Sequence, residues 1–190
     1  MKRRQFLGNC AVGLCSCAIA GTISPTLAAA SDKPASEDWC LGFVKKRYAE
    51  LLEILAGKMD DAALDETLMQ LGACCASTLP MIEQYKGDID GFIREFAKRF
   101  KMKITYDREK GIITSVGKER NDCGCPLINK SMTPPKACNC SLGYTKYTYE
   151  TILGKKVQAE LKESILHGDK RCTFVTRVLD SPLQEENAKA

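Results

Sequence analysis

The chain reads as an α+β domain, with N-terminal helices and one later helix packed on an antiparallel sheet of two hairpins. Three observations predict it. Apolar residues recur at helical spacing through the first half of the body, then alternate in two short stretches, each folded about a turn. A segment without any period, rich in cysteine and proline, separates the two hairpins. Helices followed by paired strands are the pattern of helices on one face of an antiparallel sheet.

The elements follow in order. From Trp39, apolar residues Val44, Tyr48, Leu51, Leu52 and Leu55 form a helical stripe that Gly57 ends. Asp60 or Asp61 can cap a second helix with Leu64, Leu68, Leu71 and Cys75 on one face, and Pro80 stops it. Asp88 caps a third, whose stripe is Ile89, Phe92, Phe96 and Phe100. Residues 102–106 and 112–116 alternate around the turn 107–111, a hairpin. Residues 117–141 carry four cysteines, Gly124 and three prolines, and read as an ordered loop. Ser141 can cap a fourth helix that runs to Leu153 and stops at Gly154. A second hairpin has Val157, Ala159 and Leu161 facing inward, a turn over 167–170, and Cys172, Phe174 and Val178 returning. This gives one domain over residues 31–182 and a loose charged tail over 183–190.

Composition excludes several functions. The chain has 190 residues, 44% hydrophobic and 27% charged, the balance of a globular body. Lys2, Arg3 and Arg4 are the only charges before residue 31. Without them 25 basic residues stand against 24 acidic ones, which is no footprint for nucleic acid. His167 is the only histidine, so multi-histidine metal sites are excluded.

Residues 1–30 have the form of an address. A basic start precedes an uncharged run rich in Gly, Ala, Ser and Cys, too weakly apolar for a stable transmembrane segment. Pro25 and Leu27-Ala28-Ala29-Ala30 offer a cleavage site before Ser31. Arg3-Arg4-x-Phe6-Leu7 resembles a twin-arginine export signal, with Gly8 where that pattern usually has a polar or basic residue. The resemblance implies the twin-arginine translocation apparatus as partner during export, a periplasmic or otherwise extracytoplasmic destination in a bacterium, and folding before transport. A general secretory signal is the alternative.

Cysteine is the outlying residue, with 11 in the chain. Cys10, Cys15 and Cys17 fall within the address, and eight remain. Cys123-Gly124-Cys125 and Cys138-Asn139-Cys140 are two C-x-C pairs separated by twelve residues. Together they supply four sulfurs, the number required by tetrahedral zinc or an iron–sulfur cluster. Cys138 and Cys140 fall just before the predicted fourth helix, where unpaired N–H groups favour thiolate. Gly124 and Asn139 tolerate unusual backbone between ligands. Cys74 and Cys75 could turn toward the loop as further ligands or as a resolving thiol. Two other readings stand beside metal. An oxidising compartment and an even cysteine count suit a disulfide framework. A loop cysteine could instead serve a hydrolase or reductase as nucleophile or redox group, so the sequence leaves enzymatic activity open. Cys40 and Cys172 read as buried thiols. His167 with Asp169 beside Cys172 is a weak catalytic pair, and Tyr144, Tyr147 and Tyr149 read as core before they read as a ligand site.

One further pattern runs through the second half: Cys138-x-Cys140-x2-Gly143-Tyr144, Gly154-Lys155-Lys156-Val157, and Glu160-x2-Glu163-Ser164-Ile165-x2-Gly168-Asp169-x2-Cys172-x-Phe174. Here the chain resembles the C-terminal half of the 4-vinyl reductase domain superfamily, a pattern shared with aminothiazoline-carboxylate hydrolase-like proteins. The resemblance covers residues 123–178, with Gly72–Cys75 as an outlying part. It implies an α+β domain that binds small or hydrophobic molecules, in some members around a cysteine-ligated metal, and it matches Cys138, Cys140 and Cys172. The Cys123/Cys125 pair and the export signal depart from it.

Overall fold

A computed structural model describes residues 35–182. The signal over residues 1–30, with Arg3 and Arg4, and the tail over 183–190 lie outside the described residues. The α+β architecture is the one observed, with five helices and one four-stranded antiparallel sheet among the described residues.

Helix α1 (Ala35–Ala56) is followed by α2 (Asp61–Ser77). Asp60 caps α2, its carboxylate accepting the Ala63 N–H at 2.9 Å, which satisfies one orphan donor of the first turn. The buried face of α2 is Leu64, Leu68, Gly72 and Ala76, one residue round from the predicted stripe, so Leu71 and Cys75 are exposed. Pro80 does not stop α2. The helix has already ended at Ser77, and Pro80 opens a short helix α3 (Pro80–Gln84), where a proline lacks no bond the helix would have made. Asp88 caps α4 (Ile89–Phe100) by accepting the Gly91 N–H at 2.8 Å, and Lys101 closes it in the left-handed region at φ 52°.

Strands β1 (Lys103–Asp107) and β2 (Ile112–Val116) form the first hairpin. Helix α5 (Cys138–Leu153) comes next, led in by a single 3-10 turn over Pro135–Ala137 and closed by Gly154 at φ 63°. It therefore begins three residues before Ser141. That hydroxyl is not a cap, and the prolines at 134 and 135 set the entry instead. Strands β3 (Lys155–Glu163) and β4 (Thr173–Pro182) form the second hairpin. The sheet order is β1-β2-β4-β3, so the hairpins join through β2 and β4, with Ile113 opposite Thr176 and Ser115 opposite Phe174.

The main core lies between sheet and helices. Phe92 of α4 meets the Tyr149 ring of α5 edge-on at 6.2 Å, and both pack with Ile82, Ile113, Ile152 and Val157. The Tyr149 hydroxyl is 2.9 Å from Ser115 Oγ, so its polar end is satisfied inside the core. A second, smaller core joins Leu52 of α1, Leu64 and Leu68 of α2, and Ile128 and Ala137 of the cysteine segment. Helix α1 thus packs on α2 and not on the sheet. It buries Ala49 and Leu52 and leaves Val44 and Leu51, expected inside, in solvent.

Helices α2 and α5 meet at two glycines. A Cβ on Gly72 would lie 1.8 Å from the Cys140 carbonyl oxygen, and one on Gly143 would lie 1.9 Å from that of Met69. The two backbones touch, which only glycine permits. Among the described residues no helix is long and apolar enough to cross a membrane.

Candidate thiol-rich site

Three segments converge beside the α2–α5 contact. The first is the irregular stretch after β2. It begins against the β3–β4 connection, where the Gly117 N–H donates to Cys172 O at 2.9 Å and the Arg120 N–H to Lys170 O at 3.1 Å. Asp122 then folds it over, one carboxylate oxygen accepting the N–H groups of Cys123 at 2.8 Å and Lys130 at 3.0 Å. Asn129 makes a second turn, accepting the Ser131 N–H at 2.9 Å. Ile128 is buried and anchors the stretch in the smaller core. The loop is therefore better tied down than its lack of period suggested, through side-chain-to-backbone bonds that leave no periodic trace.

The second segment is the first turn of α5. Cys138 and Cys140 lie inside the helix, not before it, and Asn139 between them is helical, so its tolerance of unusual backbone is not used. Asn139 serves elsewhere, donating to Asp65 Oδ1 at 2.6 Å. Cys138 is buried, with its sulfur 3.0 Å from Ser164 Oγ. Ser164 is fixed in turn, its N–H donating to Asp169 at 2.8 Å and its hydroxyl accepting the Leu166 N–H at 3.1 Å. Asp169 is thus spent on this turn, with its side chain and that of His167 exposed, and the supposed His167–Asp169 pair is a structural corner. The third segment is the approach to β4, where Cys172 precedes the strand and is half-buried rather than core.

The electrostatics show which sulfurs stand together. Burial pushes the Cys123 thiol up to about 12, and negative charge on Cys172, Cys138, Asp122 and Cys125 adds to the rise. Burial likewise raises Cys140 to about 11, helped by Cys125 and Cys75. Cys138 is raised by burial and by Cys172, while the Ser164 hydroxyl works against the rise by hydrogen-bonding the sulfur. Electrostatic influence therefore runs among Cys123, Cys138 and Cys172, and among Cys125, Cys140 and Cys75, with Cys125 also acting on Cys123. Two tyrosines border them. Burial, then Cys140 and Cys125, raises Tyr48 of α1 to about 12, and burial, then Cys75, raises Tyr144 of α5.

The thiols of the two C-x-C pairs thus influence one another's ionisation, Cys123 with Cys138 and Cys125 with Cys140. Cys75 joins them. Cys74 influences none of these thiols, and Cys74, Cys75 and Cys125 are all exposed, as is Cys40 on α1. Sequence reasoning assigned Cys172 to the core, placed Tyr48 only in the apolar stripe of the first helix, and gave Ser164 and Gly72 no role at the cysteines. All eight cysteines of the described residues are free thiols, and no three His, Cys, Asp or Glu side chains there are placed to enclose a metal ion.

An open cleft of about 580 Å³ lies on the outer side of Cys138, lined also by Asp65, Lys136, Asn139, Leu142 and His167. Its charges are already paired, Lys136 Nζ lying 2.8 Å from Asp61 and 3.0 Å from Asp65.

No protein-family model and no curated protein matches the chain. Comparison with solved structures finds similarity at low identity. The crystal structure of a trafficking protein particle complex subunit 3 from Naegleria fowleri, covalently bound to palmitic acid, has a TM-score of 0.48 and 17% identity, covering 77% of this chain and 99% of that one. The phenol-responsive sensory domain of the transcription activator PoxR, with phenol, has a TM-score of 0.43 and 12% identity, covering 70% of this chain and 74% of that one.

Proposed function

We propose that this is an exported cysteine-rich domain whose paired C-x-C segments hold zinc or an iron–sulfur cluster. One observation supports the reading: ionising Cys123 or Cys140 is opposed by cysteines of the other C-x-C segment and by Cys172 and Cys75, so thiolates from separate segments would repel one another without a cation. A cation among them turns that repulsion into attraction. The donor set fits, since soft thiolates select zinc and iron–sulfur clusters over hard cations. Cys138 and Cys140 are fixed in the first turn of α5, so the arm carrying Cys123 and Cys125 is the part that must close. The raised pKa values of Cys123, Cys138 and Cys140 argue against any of them as a free thiolate nucleophile at neutral pH.

Protein purified from its native host should retain stoichiometric zinc or iron by elemental analysis. Cys→Ser at any of Cys123, Cys125, Cys138 or Cys140 should lower the bound metal. The reading fails if no such metal is found and mass spectrometry shows these cysteines joined in disulfides.

Export belongs to the same proposal. A twin-arginine route would fold the chain in a reducing compartment, where thiolates capture metal before they can be oxidised. Replacing Arg3 and Arg4 together by Lys keeps the charge and removes the guanidinium pair, so precursor should accumulate inside the cell. Undiminished export of that variant would mean the general secretory route.

A further inference from the structure

Helix α1 exposes an apolar face on the side away from its packing residues Ala49 and Leu52. Trp39 is 68% exposed, Ile54 55%, Leu51 50% and Phe43 48%. The Trp39 and Phe43 rings stack at 5.5 Å, and the Arg47 guanidinium lies over Phe43 at 5.3 Å while pairing with Glu50 at 2.8 Å. These side chains are ordered against one another on the surface, and an apolar patch of this kind marks an interaction face.

The spacing identifies what covers it. Cys40, Phe43, Arg47, Glu50, Ile54 and Gly57 recur at alternating steps of three and four, the seam of a coiled coil. The seam is self-complementary when run against itself in the opposite direction. Registered about the point between Tyr48 and Ala49, Phe43 meets Ile54 of a second copy, Arg47 meets Glu50 of the second copy, and small Cys40 meets Gly57 of the second copy. Each contact occurs twice, as a two-fold interface requires. A lipid surface would place no such balanced charge pair at the centre of the apolar stripe.

We propose that two copies of this chain associate through α1 as an antiparallel helix pair, with Arg47 and Glu50 exchanging their intrachain pairing for a reciprocal one across the two-fold axis. The proposal is independent of the metal reading, since none of the proposed metal ligands lies on α1.

The test is the mass of the native protein in solution, measured by light scattering at micromolar concentration and expected at twice the chain mass. Arg47→Glu and Glu50→Arg each set like charges against each other in the two central layers and should weaken the dimer at least tenfold. The double variant R47E/E50R restores opposite charges only if this register is correct, and it should dimerise again. Arg47 is exposed and Glu50 half-buried on the helix surface, so unchanged circular dichroism checks that the variants fold. A monomeric native protein overturns the proposal, including one whose Trp39 is covered by residues 1–34 of its own chain. So does a dimer that the single variants leave intact, or one that the double variant fails to restore.

Discussion

Gly72→Ala and Gly143→Ala are each expected to cost more than about 4 kcal/mol, at the far end of what single substitutions do. A methyl at Gly72 would enter the Cys140 carbonyl at 1.8 Å and approach the Tyr144 nitrogen at 2.7 Å. At Gly143 it would meet the Met69 carbonyl oxygen at 1.9 Å and the carbon at 2.5 Å. Every one of these atoms is backbone inside a helix, so no side-chain rotation can relieve the overlap. The helices must move apart, and both cores lose contacts on α2 and α5. Domains of this size are stable by only about 5–15 kcal/mol, so either variant should be largely unfolded or strongly shifted in urea. Gly42 is the control. Nothing lies within 4 Å of its Cβ position in α1, so Gly42→Ala should be neutral or gain about 0.5–1 kcal/mol of helix propensity. Urea unfolding measures all three. A loss below 1 kcal/mol at both Gly72 and Gly143 would mean the helices do not touch there.

Removing the proposed metal should have the second large effect. A closed all-thiolate zinc site contributes of order 10 kcal/mol of binding free energy, most of it here falling on the arm that must close. Chelation should therefore open the backbone around Cys123 and Cys125 to trypsin, which can cut at Lys118, Arg120 and Lys130. The rest of the domain should stay folded, because the main core contains no residue of this arm. Both ends stay anchored, at Gly117 and Arg120 by their bonds to the β3–β4 connection and at Ile128 by the smaller core, so cleavage should accelerate within this arm alone. Equal cleavage with and without chelator would remove metal as the clasp of this segment.

The parts of this fold legible in the sequence are those where one face is apolar and the other polar. Helix α4 shows Ile89, Phe92 and Phe96 on one stripe, and β1 and β2 alternate about a tight turn. The two-hairpin sheet followed from the same rule. Helix α1 defeated it because its apolar residues lie on both sides, one for α2 and one left in solvent, and periodicity cannot tell a core face from a docking face. The α2 face was misjudged by one residue, since its closest contact is made by a glycine that no hydrophobic pattern registers. The start of α5 was misplaced because Ser141 is a better cap by type than Ala137, yet Pro134 and Pro135 had already fixed the chain's direction. In the candidate site, the C-x-C pairs were visible as spacing. Their influence on one another was not, because it depends on how Asp122 folds the loop and on where the hairpin leaves Cys172.

The contact between Gly72 and the Cys140 carbonyl also sets an order of events during synthesis. Cys123 and Cys125 leave the ribosome before Cys138 and Cys140, but they have nothing to close upon until α5 has been made and has docked against α2. The loop pair waits, reduced and unpartnered, for a helix translated after it. On the metal reading, the thiols of the two segments can be joined only once α5 is in place against α2.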